Sequence, residues 1–203
     1  MKKISIIFPI YNEEKRLNKL FNSLISFEKK KTNFFFEFII VDDGSTDSTV
    51  KKIIQFINKN KKIKYKYKLI KSKKNFGKGH ALKLGVNQAK YKWILTMDAD
   101  LSVELSQITK WLKRYHFKNN HAYFGSRNLP QSVVIYKYYR KLIGYVWQIM
   151  FFFFVDSKIK DTQCGFKFYN KKYIKKVFAS LKENGFSHDM ELIFLLKKEG
   201  VKI

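Results

Sequence analysis

The chain has 203 residues, 45% of them hydrophobic and 17% aromatic, with 42 lysines and arginines against 16 acids and a formal net charge of +26. Length and apolar content suit one globular domain and exclude a disordered chain. The single cysteine, Cys164, excludes an internal disulfide and a multi-cysteine zinc centre, and fits a reducing compartment. The charge favours anionic partners through its long-range field. Lysine, asparagine, isoleucine and phenylalanine are abundant together, however, a bias that AT-rich coding produces without any binding role, and the lysines are spread along the whole chain.

The first element is a β-branched run, "ISIIFPI" at 4–10, followed by Leu17, Leu20, Phe21, Leu24 and Ile25 at helical spacing. The apolar part of this start is about six residues long, shorter than the ~7–15 of a signal-peptide core, so a cytoplasmic location is expected. A second strand, "EFIIVDD" at 37–43, precedes a Gly-Ser-Thr turn and a helix with Val50, Ile53, Ile54 and Ile57 on one face. A third unit runs from 65–72 into a helix near 79–89, and a fourth from "KWILTMDAD" into Leu105, Ile108, Leu112 and Tyr115. Four successive βα units predict an α/β fold, an open and mainly parallel sheet flanked by helices in a single domain over 1–203.

Beyond these units the longest apolar stretch is 142–155, fourteen residues flanked by Lys137, Arg140, Lys141, Lys158 and Lys160. It is too short to span a bilayer, which takes ~20 residues, and reads equally as a core helix or as an interfacial membrane helix. The last residues, "EGVKI" at 199–203, have the pattern of a strand beginning, so the C-terminal end of the domain is read as open.

Ligands in such sheets bind at the carboxyl ends of the strands. Here those ends carry "PIYNEE", "VDDGSTD" and "TMDADLS", so that Glu13, Glu14, Asp42, Asp43, Asp98 and Asp100 form an acidic edge in a basic protein. Gathering carboxylates is unfavourable unless a cation or hydrogen-bond donors compensate. If the segment stays extended, Asp98 and Asp100 project to one side and face a common Mg²⁺ or Mn²⁺. The bland alternative is a polar turn. "VDDGSTD" offers acceptors for a base and a ribose, with Asp42 binding while Asp47 caps the next helix. Gly77, Lys78 and Gly79 stand just before a helix, where free N–H groups and the dipole favour an anion, although the spacing is not that of a P-loop.

Taken together, "FPIYNEE", "VDDGSTD", "NFGKGHAL", "MDADLS", "GSR" and "DTQCGFK", in this order over residues 4 to about 196, resemble the inverting glycosyltransferases of family 2 with the GT-A fold. "DTQCGFKFY" followed by "FSHDMELI" is most similar to dolichyl-phosphate β-glucosyltransferases and their bacterial polyprenyl-phosphate relatives. The resemblance implies a nucleotide-sugar donor, with UDP-glucose expected, held by Pro9, Tyr11, Glu13, Asp42, Lys78 and Asp98. It implies Asp100, shared with Asp98, as ligand of Mg²⁺ or Mn²⁺. A polyprenyl-phosphate acceptor would sit on Arg127, Arg140 and Lys141, the last two reading equally as solvated or lipid-facing. Asp161 is the first candidate for a base or acceptor-positioning residue and Asp189 the second. For His188 a structural or surface role outweighs proton transfer, and Cys164 is read as packing.

These readings make peripheral contact with the cytoplasmic face of a membrane expected, and nucleic acid not. A soluble saccharide acceptor is the nearest alternative. A non-catalytic basic binder is a remote one, because it leaves the acidic strand ends unexplained.

Overall fold

The computed structural model describes residues 2–30, 32–60, 65–127, 159, 161–185 and 187–203. Arg140, Lys141 and the 142–155 segment lie outside them. In chain order the elements are β1 (Lys3–Ile10), α1 (Leu17–Lys29), β2 (Phe35–Asp42), α2 (Thr49–Lys59), β3 (Lys66–Lys71), α3 (Lys78–Gln88), β4 (Trp93–Thr96), α4 (Ser106–Arg114), β5 (Tyr123–Phe124), β6 (Lys167–Asn170), α5 (Lys171–Ser180) and α6 (His188–Lys198). The six strands form one sheet in the order β3-β2-β1-β4-β6-β5. The first four strands run parallel, and β6 runs antiparallel to both β4 and β5.

Both faces of the sheet are covered, which is why β1 and β2 read as nearly unbroken apolar runs rather than alternating ones. Ile4, Ile6, Phe8 and Ile10 point to one face, where they meet Leu17, Leu20 and Leu24 of α1, Ile53 of α2 and Ile108 of α4. Ile7, Ile39 and Ile94 point to the other and pack with Leu82 and Val86 of α3, Ile174 and Val177 of α5, and Leu192 and Leu196 of α6. The helical spacing of 3–4 residues on each amphipathic face produces these contacts, and each fully buried Leu or Ile contributes roughly 1.5–3 kcal/mol. Ser5, fully buried in β1, donates to Glu37 Oε1 at 2.5 Å, and that oxygen also accepts from Lys90 N at 2.7 Å.

One difference from the sequence reading matters. The fourth strand stops at Thr96, because the chain turns at Asp98–Leu101, with Leu101 at φ +55° and its N–H bonded to Asp98 O at 3.3 Å. At the C-terminus a single parallel bridge joins His121 to Lys202, with Ala122 N bonded to Lys202 O at 2.7 Å. The "EGVKI" segment therefore does begin strand-like pairing. No helix among the described residues is long and apolar enough to cross a membrane.

Candidate active site

The loops after β1 and β2 are laced together. Asn12, at φ +50°, donates from its backbone to Ser45 Oγ at 2.9 Å and accepts from Thr46 N at 2.9 Å. Glu13 N donates to Thr49 Oγ1 at 2.9 Å, and Glu14 accepts from Ser48 N at 2.9 Å. Asp47 accepts from Thr49 N at 2.9 Å, so it does bind the start of α2, and from Glu14 N at 3.3 Å. Burial pushes Asp47 up, yet the Thr49 hydroxyl together with these N–H donors holds it below the usual carboxylate range. The Ser-Thr-Asp turn thus fixes where the end of β1 stands relative to the end of β2.

Within that frame Asp42 is buried at the last position of β2 and accepts from Ser45 N at 3.2 Å. Asp43 does something the residue types alone did not reveal. Its carboxylate accepts from Phe76 N at 3.2 Å and Gly77 N at 2.6 Å, with His80 Nδ1 at 3.7 Å, so it fastens the Gly-Lys-Gly loop to the sheet. Gly77 takes φ +109°, and a Cβ there would stand 2.3 Å from Asn184 O, so both conformation and space demand glycine. The N–H groups of Gly79 and His80 donate to Asn184 O at 2.7 and 3.3 Å. Of the N–H groups expected to be free for an anion at this helix start, those of Gly77, Gly79 and His80 are therefore engaged inside the protein.

Lys78, the first residue of α3, places Nζ 2.6 Å from Asp98 Oδ1. Gly165 closes the other side: a Cβ at that position would fall 2.3 Å from Asp98 Oδ2. Asp100 is exposed, with Oδ1 accepting from Ser102 N at 2.9 Å and its carbonyl accepting from Lys19 Nζ at 2.8 Å. Because the strand ends at Thr96, strand alternation does not bring Asp98 and Asp100 to one side, and the two carboxylates have different surroundings. Glu13, paired with Arg16 at 2.5 Å, is pushed up by burial first, partly offset by Arg16, and further up by the negative charges of Asp100 and Asp47. That residual negative potential and the Asp100 carboxylate suit a hard divalent cation, which commonly takes only one or two protein carboxylates beside substrate phosphates. Among the described residues no group of three or more candidate ligands is preassembled. Pro9 lines the cleft beside Lys78 and Asp98, and Tyr11, just beyond the end of β1, is 42% exposed.

On the far side of the edge Asp161 holds Arg127. One carboxylate oxygen accepts from Arg127 N at 2.9 Å and Nε at 2.8 Å, the other from Nη2 at 2.9 Å and from Gln163 N and Cys164 N at 3.2 Å. Burial raises Asp161, but the Arg127 bonds outweigh it and hold the group below the usual range. The carboxylate is thus fully committed, while 46% of the Arg127 side chain remains exposed. Asp189, buried at the start of α6, pairs with Lys167 Nζ at 2.5 Å. His188 is also buried, with Nδ1 2.7 Å from Gly185 O. Cys164 is buried in the core, and burial pushes its thiol up, out of the reactive range.

Residues 5–190 match the family described as "Glycosyl transferase family 2". The chain belongs to that family. Its relatives include the dolichyl-phosphate beta-glucosyltransferases of Dictyostelium discoideum, 33% identical over 98% of this chain and 64% of the relative, and of Homo sapiens, 32% identical over 96% and 63%. The family 2 chain thus spans a little under two thirds of the length of these curated relatives. Among solved structures, glucosyl-3-phosphoglycerate synthase from Mycobacterium tuberculosis in complex with UDP superposes with a TM-score of 0.63 at 16% identity, covering 98% of this chain and 67% of that one. S. aureus TarS 1–349 in complex with UDP gives 0.61 at 21%, covering 98% and 55%. Mannosyltransferase PcManGT from Pyrobaculum calidifontis, in complex with GDP-Man and Mn²⁺, gives 0.58 at 14%, covering 91% and 50%. These likenesses establish the GT-A fold of the family 2 chain.

Proposed function

We propose that this protein is an inverting hexosyltransferase that moves glucose from UDP-glucose to a polyprenyl or dolichyl phosphate at the cytoplasmic face of a membrane. The observation that carries the reading is the pairing, on one sheet edge, of an acidic donor side at Asp42, Asp98 and Asp100 with an exposed arginine locked by Asp161. The names of the relatives support the lipid acceptor and the hexose.

In this reading Asp42 accepts from the base or ribose, beside Pro9, Tyr11 and Glu13, and Lys78 turns from Asp98 toward the donor phosphates. Asp100, with Asp98, would hold Mg²⁺ or Mn²⁺, which offsets charge on the departing nucleoside diphosphate. A phosphate monoester has a second pKa near ~6, so the lipid phosphate arrives mostly dianionic and attacks the anomeric carbon from the face opposite the leaving group with little need of a base. Its requirement is a cationic seat, the role we assign to the partly exposed Arg127 guanidinium that Asp161 holds. Asp161, already engaged by five donor contacts, serves as the residue that positions Arg127 rather than as a proton acceptor. Arg140 and Lys141 would extend the same seat.

Incubation with labelled UDP-glucose, polyprenyl phosphate and Mn²⁺, followed by organic extraction, is expected to carry label into the organic phase and to lose it on chelation. Label passing only to a water-soluble saccharide, from folded protein, would overturn the lipid acceptor.

A further inference from the structure

Beneath the donor side lies a narrow cleft with about 10 Å³ of free space, room for one water, lined by Pro9, Lys78, Asp98, Lys167, His188 and Asp189 among others. Its floor is a buried charged cluster. Lys167 Nζ lies 2.5 Å from Asp189 Oδ1 and 5.2 Å from the centre of the Phe124 ring, and His188 Nε2 is 3.2 Å from the same Oδ1. All three side chains are nine-tenths or more buried. Burying charges this deeply is costly unless geometry and further hydrogen bonds compensate. Here compensation is incomplete: His188 Nε2 is close to Asp189 without alignment for a hydrogen bond, and Tyr169 Oη stands beside Thr96, likewise not aligned with it. Both contacts to Asp189 fall on Oδ1, and among the described residues no hydrogen bond falls on Oδ2.

We propose that Lys167 is a positioning residue that keeps Asp189 fixed and charged under the donor cleft, so that Asp189 Oδ2 accepts a hydrogen bond from a hydroxyl of the bound hexose. The inference rests on the donor being a nucleotide-hexose. It gives the buried cluster a ligand: a sugar hydroxyl fits the space of one water and supplies a donor to Oδ2, while His188 Nε2 and Tyr169 Oη offer further polar contacts on the same floor. Burial alone would raise Asp189, but the Lys167 ammonium holds it well below the usual carboxylate range. Such a group is a poor proton acceptor and a strong, permanent hydrogen-bond acceptor. The charged or titratable groups around it are Lys167 and Tyr169 from β6, His188 from α6, Lys78 from α3 and Asp98 after β4. Burial pushes the Tyr169 phenol well up, so it does not titrate in the working range.

The test compares wild type, Lys167→Met, Lys167→Arg and Asp189→Asn in kcat and KM for UDP-glucose from pH 6 to 9, with folding checked by thermal melting. With Lys167 removed, the buried carboxylate protonates within this window, so K167M is expected to lose about tenfold or more in kcat/KM between pH 8 and pH 6, beyond any wild-type change. K167R restores the wild-type profile shape. D189N, which cannot titrate, is expected to fall about tenfold or more at every pH. A K167M profile parallel to wild type, lowered by one factor throughout, overturns the positioning role. If K167M does not fold, D189N decides: a folded D189N with wild-type kcat/KM overturns the proposal, and the expected loss supports it. If wild type labels no lipid, the acceptor reading has failed separately, and the same comparison is made on UDP released from UDP-glucose. No UDP release and no UDP-glucose binding by wild type overturn the donor reading and this proposal with it.

Discussion

The carboxyl ends of β1, β2 and β4 gather Glu13, Asp42, Asp43, Asp98 and Asp100, while the opposite end of the same sheet, where β4 begins and β6 stops, gathers Lys92, Lys171, Lys172, Lys175 and Lys176 around a cleft of about 740 Å³. The acidic end is tied across elements: Asp43 to the loop before α3, Asp98 to Lys78, Asp42 to its own turn. At the basic end the ties are loose: Lys176 reaches Glu199 only at 3.9 Å, and Lys171 Nζ reaches the Lys90 carbonyl at 3.4 Å. Ammonium groups left in water cost little, whereas buried carboxylates demand specific partners. The lysines at the basic end are left largely in water, whereas Asp42, Asp43 and Asp98 are charges that had to be paired.

The largest effects are therefore expected at the acidic end. Asp100→Ala is expected to lower kcat by about 10²–10³, the scale of removing one electrostatic stabiliser of the transition state, with little change in melting temperature because the residue is exposed. Initial rates of labelled glucose transfer measure it, and wild-type rates in a folded variant would break the contrast between the two ends. Gly165→Ala comes next. The new Cβ displaces Asp98 from Lys78, and a shift of about 1 Å in a positioning group can cost up to ~10²-fold. Donor KM and kcat together report it.

Asp161→Asn removes the charged half of the Arg127 clamp. Hydrogen bonds to charged groups are worth ~1.5–3 kcal/mol, and the half-exposed arginine puts the expected loss at the lower end of that range. Because the folded pKa lies below the ordinary 3.8, this stabilisation is present above the unfolded value and is lost as pH falls through the folded one. Urea melts of wild type and variant should therefore differ at pH 7 and converge towards pH 2. A gap that stays constant with pH would show that the clamp is not electrostatic.

How far the sequence foretold this arrangement can be argued from single residues. The βα alternation was legible because two-sided burial leaves apolar runs and helical stripes, and the acidic strand ends because they break that pattern at the same place in three units. The turn after Thr96 was not legible. "TMDADLS" has strand-like polarity, and only the positive φ of Leu101 shows where extension stops. Asp43 was equally hidden: an Asp-Asp doublet does not say which member faces a ligand and which ties down a loop 33 residues away. The Lys167–Asp189 pair joins residues 22 apart on a strand and a helix, a contact that exists only once β6 has turned antiparallel to β4. The only trace of it is a lysine in a strand whose four positions are all buried.

The smallest effect is expected at the basic end, and it sharpens the comparison from the other side. Lys172→Ala combined with Lys175→Ala removes two of the five cleft lysines, neither of which takes part in an ion pair among the described residues. Relief of like-charge repulsion and the higher helix propensity of alanine are offset by loss of the Lys172 contact over the Tyr173 ring, so stability should change by no more than about 0.5 kcal/mol, as for ordinary surface substitutions. Glucose transfer to detergent-solubilised acceptor should hold within about twofold, and the salt dependence of the rate should be unaltered, since interactions between exposed charges are screened beyond ~8–10 Å. A large loss of activity in this double variant would mean that the lysine cleft communicates with the donor edge through the sheet. Charge segregation between the two ends would then be part of the mechanism rather than a consequence of which charges needed partners.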